Sequence, residues 1–324
     1  MGLSGMQYAS QPMSNAGLNA LISFLRETGY EFVTPTPATH HRINSRPVAE
    51  GVRPLTDIFG WSRPFTRAAL PAALFDKLKD GAVIREKDGG WVSGVRASTL
   101  QGQTVLHSAF PTLSPDAVFF GPDTYRFTNA IRSDLRAEPR KLQRVLDIGC
   151  GTGAGAIAVS KNAKCDEILM TDINATALQL AGLNADAAGV EAISLHSDLF
   201  ANVDGKFDLI VANPPYLNDP LQRAYRHGGG ELGSALSIRI AEASKDRLSP
   251  GGSLLLYTGS PIVGGQDRFL QAIEQNFGGS DLIWSYGEVD PDVFGEELET
   301  EAYSSVDRIA AVLLTARKPG ALAC

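Results

Sequence analysis

Val145-Leu146-Asp147-Ile148-Gly149-Cys150-Gly151-Thr152-Gly153 reads as an apolar strand that turns through glycines into an alanine-rich stretch at 154–160. Glycine there permits a tight turn and lets a ligand approach the backbone, and a helix start offers N–H groups with no intrahelical partner. Alone, such a turn fits any strand-to-helix junction. Asp172 adds to it by closing the next apolar run about 20 residues on, where a carboxylate accepts from both hydroxyls of a ribose. The pair of features implies a nucleoside.

Outward from this turn, apolar runs at 144–148, 167–171, 192–196, 209–212, 253–257, 282–286 and 309–315 alternate with helical stretches at 154–160, 175–188, 234–248 and 266–277. Alternation of this kind predicts βαβ units. The expected fold is α/β, a doubly wound seven-stranded, mostly parallel sheet over residues 112–324. The last two runs have no helix between them and should pair antiparallel. Residues 1–111 are punctuated by proline and read as a smaller amino-terminal α+β domain. Leu18, Leu21, Ile22 and Leu25 recur at helical spacing, with Ser14 or Asn15 to cap and Gly29 to stop. A second helix is expected over 68–78, with Pro71 near its start. Runs at 83–85 and 91–95 flank Asp88-Gly89-Gly90 and predict a β-hairpin. Helices followed by a hairpin suit a winged-helix unit, or a domain that covers the substrate or supports a homodimer; the charge balance favours the latter.

That balance is 29 Lys plus Arg against 36 Asp plus Glu in 324 residues, a net charge of −7. Nucleic-acid-binding domains carry a basic footprint, so nucleic acid is disfavoured as a partner. With 44% hydrophobic and 20% charged residues, the chain has material for a core. Cys150, Cys165 and Cys324 form no CxxC pair, which fits a reducing cytoplasm. No run reaches the length of a membrane span, and the start lacks signal-peptide regions and, with Met6, a myristoylation pattern. The five histidines show no metal-ligand spacing, so no metal is expected.

Asp198 ends the third strand, in His196-Ser197-Asp198-Leu199-Phe200, as a third polar point, and Asn213-Pro214-Pro215-Tyr216 follows the fourth. Asp147 before the glycines, GCGTG in place of GxGxxG, and this tetrapeptide argue against a dinucleotide dehydrogenase. The set resembles the class I S-adenosylmethionine-dependent methyltransferases of the amino-group branch, over roughly 112–317. The resemblance implies S-adenosylmethionine as donor, with Asp147, Gly149, Gly151 and Gly153 around its methionine end, Asp172 and Ile173 at the ribose, and Asp198 and the Leu199 N–H at the adenine.

A conjugated NH2 is a poor nucleophile because its lone pair is delocalised. The Asn213 amide oxygen and the Pro214 carbonyl are adjacent acceptors able to hold both N–H groups, and Tyr216 supplies a ring for stacking. Orientation of this kind contributes up to about 7 to 11 kcal/mol. Further on, 227–233 and 235–239 resemble the glycine and Ile-Arg segments of release-factor glutamine N5-methyltransferases, with Glu231 where Asp is usual. Phe120-Gly121-Pro122-Asp123-Thr124-Tyr125 looks like a divergent form of their proline-rich loop, and Tyr125 and Phe127 become candidates to face the sulfonium. Glu288, Asp290, Asp292, Glu296, Glu297, Glu299 and Glu301 read as a solvated surface loop.

The expected activity is N-methylation of an amino or amide nitrogen of a small molecule or protein. Its rivals are an adenine-N6-type nucleobase methyltransferase, a non-catalytic nucleoside-binding module, and an enzyme that closes the donor's own aminobutyrate moiety into a four-membered ring, releasing methylthioadenosine.

Overall fold

The computed structural model describes residues 12–47, 54–219, 223–230 and 232–320; Met6, Glu231 and Cys324 lie outside these. In chain order the elements are α1 (Asn15–Glu27), α2 (Pro37–Asn44), α3 (Leu55–Phe59), α4 (Ala72–Asp80), β1 (Ile84–Lys87), β2 (Gly90–Ser93), β3 (Val95–Leu100), β4 (Gln103–Ser108) and α5 (Pro122–Ala137). Then come β5 (Leu142–Ile148), α6 (Ala154–Asn162), β6 (Cys165–Asp172), α7 (Ala175–Ala187), β7 (Ile193–His196) and β8 (Phe207–Ala212). The chain ends with α8 (Ala235–Arg247), β9 (Leu248–Val263), β10 (Gln266–Asp267), α9 (Arg268–Phe277), β11 (Ile283–Asp290) and β12 (Arg308–Arg317).

Seven strands lie in the order β11-β12-β9-β8-β5-β6-β7, with the two-residue β10 added to β9. Strands β5 to β9 are mutually parallel, while β12 runs antiparallel to β9 and β11. Side chains alternate across this sheet, as a pleat requires. Val145, Leu209, Val211, Leu255 and Tyr257 face one core with α5 and α6. Leu146, Ile148, Ile210, Ala212, Leu254 and Leu256 face the other with α8 and α9. The order reverses beside β5, so the loops after β5 and β8 diverge there and leave a crevice at the strand ends.

The amino-terminal unit packs on α7. Leu18, Leu21, Phe75, Ala97 and Leu106 share a core with Ala177, Leu180 and Leu183. Asn184, fully buried, fastens the two parts: its oxygen accepts from Leu106 N at 2.8 Å, and its amide donates to Leu106 O at 2.9 Å and to Thr152 O at 3.0 Å. All of its main hydrogen-bonding capacity is thus used, which is what burial of an amide demands.

Several local expectations need correction. The helix expected over 68–78 is broken: a 3-10 turn, Arg67–Ala69, precedes Pro71, which sits before α4. Proline fixes its own φ and pushes the residue before it out of the α region, and Leu70 is extended at φ −127°, ψ 151°. The expected hairpin is β1-β2, and a second one follows it. The first turns at Asp88 and Gly89, both at positive φ, and the second, β3-β4, at Gln101 and Gly102. The segment from Pro122 is a 16-residue helix, α5, and not a loop. Proline is well placed at a first helical turn, where its missing N–H costs nothing.

Candidate active site

The ends of β5, β6, β7 and β8 surround an open cleft, a space of about 1000 Å³ with the solvent at its mouth included. Every donor-side residue named from sequence except Gly153 and Tyr125 lines it, namely Asp147, Gly149, Gly151, Phe127, Asp172, Ile173, Asp198 and Leu199, and so do Asn213 and Pro214 of the acceptor set. Gly149 and Gly151, at φ 63° and 53°, form a cradle. A Cβ on Gly149 would meet nothing within 4 Å, so the space before it is free for a ligand. Gly153 stands behind the cradle, where a Cβ would press on Ala181 O and the Met170 sulfur at 3.2 Å.

Asp147 is 1% exposed and accepts from Ala156 N, in the first turn of α6, at 2.9 Å. Burial raises its carboxyl to about 7, against the pull of that N–H. Gly155 makes this contact possible, because a Cβ there would sit 2.7 Å from the Asp147 carboxylate. Asp172 accepts from Gly151 N at 3.0 Å and Asn174 N at 2.9 Å, one bond on each oxygen. A carboxylate has about four acceptor positions, so two remain for a diol. Burial pushes its pKa up, countered by these N–H groups. Ile173 is an exposed large hydrophobic on the cleft wall, suited to a flat ring, and Leu199 holds a φ of 51°, a strained setting for a residue other than glycine. Asp198 is exposed and lies 3.7 Å from Arg239. Cys150 is buried in the turn, and desolvation raises its thiol well above the ordinary value, which removes it as a nucleophile.

Asn213 stands between the cleft and a second pocket of about 400 Å³, lining both. Its amide has no hydrogen-bond partner among the described residues. Phe119, Asp123, Pro214, Pro215, Tyr216, Tyr225, Arg226 and Phe294 complete the second pocket with Leu217. Tyr216 lines it but is only 7% exposed, with its ring packed on Gly259 and edge-on to Phe294 at 5.7 Å. Its hydroxyl is buried near Asp123 without a hydrogen bond of good geometry. Phe119 and Tyr225, neither of which stood out in the sequence, stack on each other at this wall, parallel to within 6° with centroids 6.1 Å apart.

Tyr125 is turned away from the cleft. Its hydroxyl accepts from Thr34 N at 3.2 Å and its ring packs edge-on against Phe120, because α5 directs Thr124 and Phe127 inward and Tyr125 toward the amino-terminal unit. The glycine segment from His227 closes over the backbone of Pro215, Tyr216 and Leu217: Leu217 N donates to Arg226 O and Gly228 N to Leu217 O. At Gly233 a Cβ would lie 2.5 Å from Tyr216 O. The acidic loop is less solvated than expected. Asp290 pairs with Arg126 at 2.6 Å, and Glu297, buried, pairs with Arg226, which fixes Phe294 at the pocket wall.

No helix among the described residues is long and apolar enough to cross a membrane. The chain is 31% identical to ribosomal RNA small subunit methyltransferase C of Haemophilus influenzae over 144 residues, 44% of this chain and 39% of the relative. It is 36% identical to release factor glutamine methyltransferase of Deinococcus radiodurans over 148 residues, 42% of this chain and 51% of the relative. Among solved structures, the Thermus thermophilus 16S rRNA N2 G1207 methyltransferase, determined with AdoMet and guanosine, aligns with 75% of this chain and 61% of its own at a TM-score of 0.46 and 18% identity. The chain thus spans about two fifths to one half of the length of these curated relatives. The model of the methyltransferase small domain family matches residues 117–283, more than half of the chain, and the chain therefore belongs to this family of S-adenosylmethionine-dependent methyltransferases.

Proposed function

We propose that the protein transfers the methyl group of S-adenosylmethionine to a planar amino or amide nitrogen. The observation that carries this is the position of Asn213, an amide without a hydrogen-bond partner among the described residues, at the junction of the donor cleft and an aromatic-walled pocket. In this reading Asp172 holds the ribose hydroxyls, Ile173 and the Leu199 N–H the adenine face and edge, and Asp147 with the Gly149–Gly151 cradle the methionine end. The donor supplies an electrophilic methyl on a sulfonium. The Asn213 oxygen and Pro214 carbonyl accept from the nucleophile's two N–H groups and turn its lone pair toward that methyl. The Tyr225 and Phe119 stack offers a ring face against which the planar acceptor packs.

A nucleobase acceptor is the second reading. The acidic net charge argues against nucleic acid, but the ribosomal RNA named for the Haemophilus relative favours it, and net charge says nothing about a local basic patch. The test is incubation with methyl-labelled S-adenosylmethionine and, separately, small-subunit ribosomal RNA, a protein fraction, a small-molecule fraction, and no acceptor. S-adenosylhomocysteine formed only with an acceptor, with label in that acceptor, supports the reading. Enzyme-dependent methylthioadenosine from the donor alone overturns it in favour of ring closure on the donor.

A further inference from the structure

The second pocket holds a carboxylate that the roles above leave unused. Asp123, in the first turn of α5, is 4% exposed and lines the pocket beside Asn213 and Pro214. Its hydrogen bonds fall on one oxygen: Oδ1 accepts from the Tyr257 hydroxyl at 2.6 Å and from Arg126 Nη1 at 3.1 Å. Oδ2 accepts no hydrogen bond of good geometry among the described residues; the buried Tyr216 hydroxyl beside this carboxylate fills at most one of its remaining acceptor positions. A buried carboxylate is costly unless its acceptor positions are met, so an unused oxygen on a pocket wall marks a place for an external donor. The same bonds fix the rotamer. Arg126 is itself clamped to Asp290, and Tyr257 is fully buried on β9.

We propose that Asp123 Oδ2 is a catalytic anchor for the acceptor nitrogen, accepting an N–H hydrogen bond and receiving the proton that this nitrogen sheds on methylation. This rests on the methyl-transfer reading above. The N–C bond forms as the S–C bond breaks, and the S–C electron pair stays on sulfur as a neutral thioether. The nitrogen, momentarily cationic, loses its proton to Oδ2, and the proton leaves to solvent with the products. Burial raises the basicity of this carboxyl, with Tyr257, Arg126 and Tyr216 pulling the other way. A planar nitrogen benefits from such a partner, because once alkylated it is a strong acid.

The test does not need the natural acceptor. Two donor-shaped probes carry nitrogen in place of the sulfonium, one bearing a 2-aminoethyl arm and the other a propyl arm of equal length. The arm places an amine, or a methyl group, in the second pocket. Calorimetry on the full chain should show the amino arm bound about tenfold more tightly, as expected for one hydrogen bond to a charged group. In Asp123→Asn, and in Asp123→Ser should the first variant be poorly folded, that preference should fall to about twofold or less while S-adenosylhomocysteine affinity holds within about twofold. No preference in the wild type, or a full preference in a variant that still binds S-adenosylhomocysteine, overturns the assignment of Asp123. Failure of the wild type to bind S-adenosylhomocysteine and both probes overturns the donor reading instead.

Discussion

The donor cleft and the acceptor pocket meet at Asn213 but are built in opposite ways. In the cleft, the polar groups stand at the ends of parallel strands and in the few residues after them: Asp147 to Gly151 at β5, Asp172 and Ile173 at β6, Asp198 and Leu199 at β7, Asn213 and Pro214 at β8, while Phe119, Thr124, Phe127, Tyr225 and Leu236 close the rest. In the pocket, the walls come from the start of α5 and the residues before it, the loop after β8, Tyr225 and Arg226 just ahead of the glycine segment, and the loop between β11 and β12. Ion pairs between distant positions, Arg126 with Asp290 and Arg226 with Glu297, hold these walls together. The polar side of the cleft is therefore set by local backbone geometry, and the pocket by tertiary pairing. Changes in the first should act on donor affinity, and changes in the second on the acceptor.

The largest break expected between the two regions is at their junction. Asn213→Ala should lower turnover about 100- to 1000-fold, the usual loss when one positioned polar group that acts on the reacting atoms is removed. Donor affinity should stay within about threefold, because Asp172 and the glycine cradle are untouched. Single-turnover transfer of labelled methyl, beside calorimetry with S-adenosylhomocysteine, measures both. Wild-type turnover in a folded variant would remove the orienting role.

On the donor side, Asp172→Ala should weaken S-adenosylhomocysteine binding by about 1.5 to 3 kcal/mol, because a ribose diol loses its charged acceptor. Calorimetry measures this. The acceptor's half-saturation at saturating donor should not move, and a shift there equal to the donor effect would show the two regions to be coupled.

The contrast also decides what could be read from sequence. Strand, glycine turn and terminal carboxylate lie within short windows, so Asp147, Asp172 and Asp198 could be placed before any coordinates. Asn184 could not, because its three bonds join α7 to β4 and to the glycine turn, and nothing local distinguishes it from a solvated helical asparagine. Tyr125 was misread for a related reason. Read as a loop, 120–125 leaves that ring free to reach the sulfonium; once Pro122 starts a helix, the 3.6-residue period assigns Thr124 and Phe127 to the inside and Tyr125 to another face. Glu297 shows the limit of composition: six acidic neighbours suggest solvent, yet one Arg226 in another loop is enough to bury it.

On the acceptor side the pair Arg226 and Glu297 offers a smaller, cleaner break. Arg226→Met keeps the stem of the side chain but leaves Glu297 without its partner and frees Phe294 from its place on the pocket wall. The acceptor's half-saturation should rise about tenfold, with S-adenosylhomocysteine affinity unchanged. Transfer of label at varied acceptor concentration gives the first quantity and calorimetry the second. Equal losses in both would mean that the loop between β11 and β12 also supports the cleft.

The smallest effect expected is one of pH, and it belongs to the donor side alone. Asp147 has a folded pKa raised to about 7 by burial, far above its value in an unfolded chain. Above about pH 4 the unfolded chain has released this proton while the native protein keeps it, so stability from this group is full at low pH and declines as pH rises through 7. A cationic donor reverses the preference, since its ammonium and sulfonium stabilise the carboxylate; binding then expels the proton wherever the free protein still holds it. Donor affinity should therefore increase with pH, by about fourfold between pH 6.5 and pH 8 for a single group titrating near 7. Asp147→Asn should flatten this dependence, whereas Asp172→Ala should lower affinity yet keep the slope. Calorimetry in buffers of different ionisation enthalpy counts the released proton directly. An affinity independent of pH in the wild type would place Asp147 out of contact with the donor's charged end, leaving the carboxylate only its bond to Ala156 N at the start of α6.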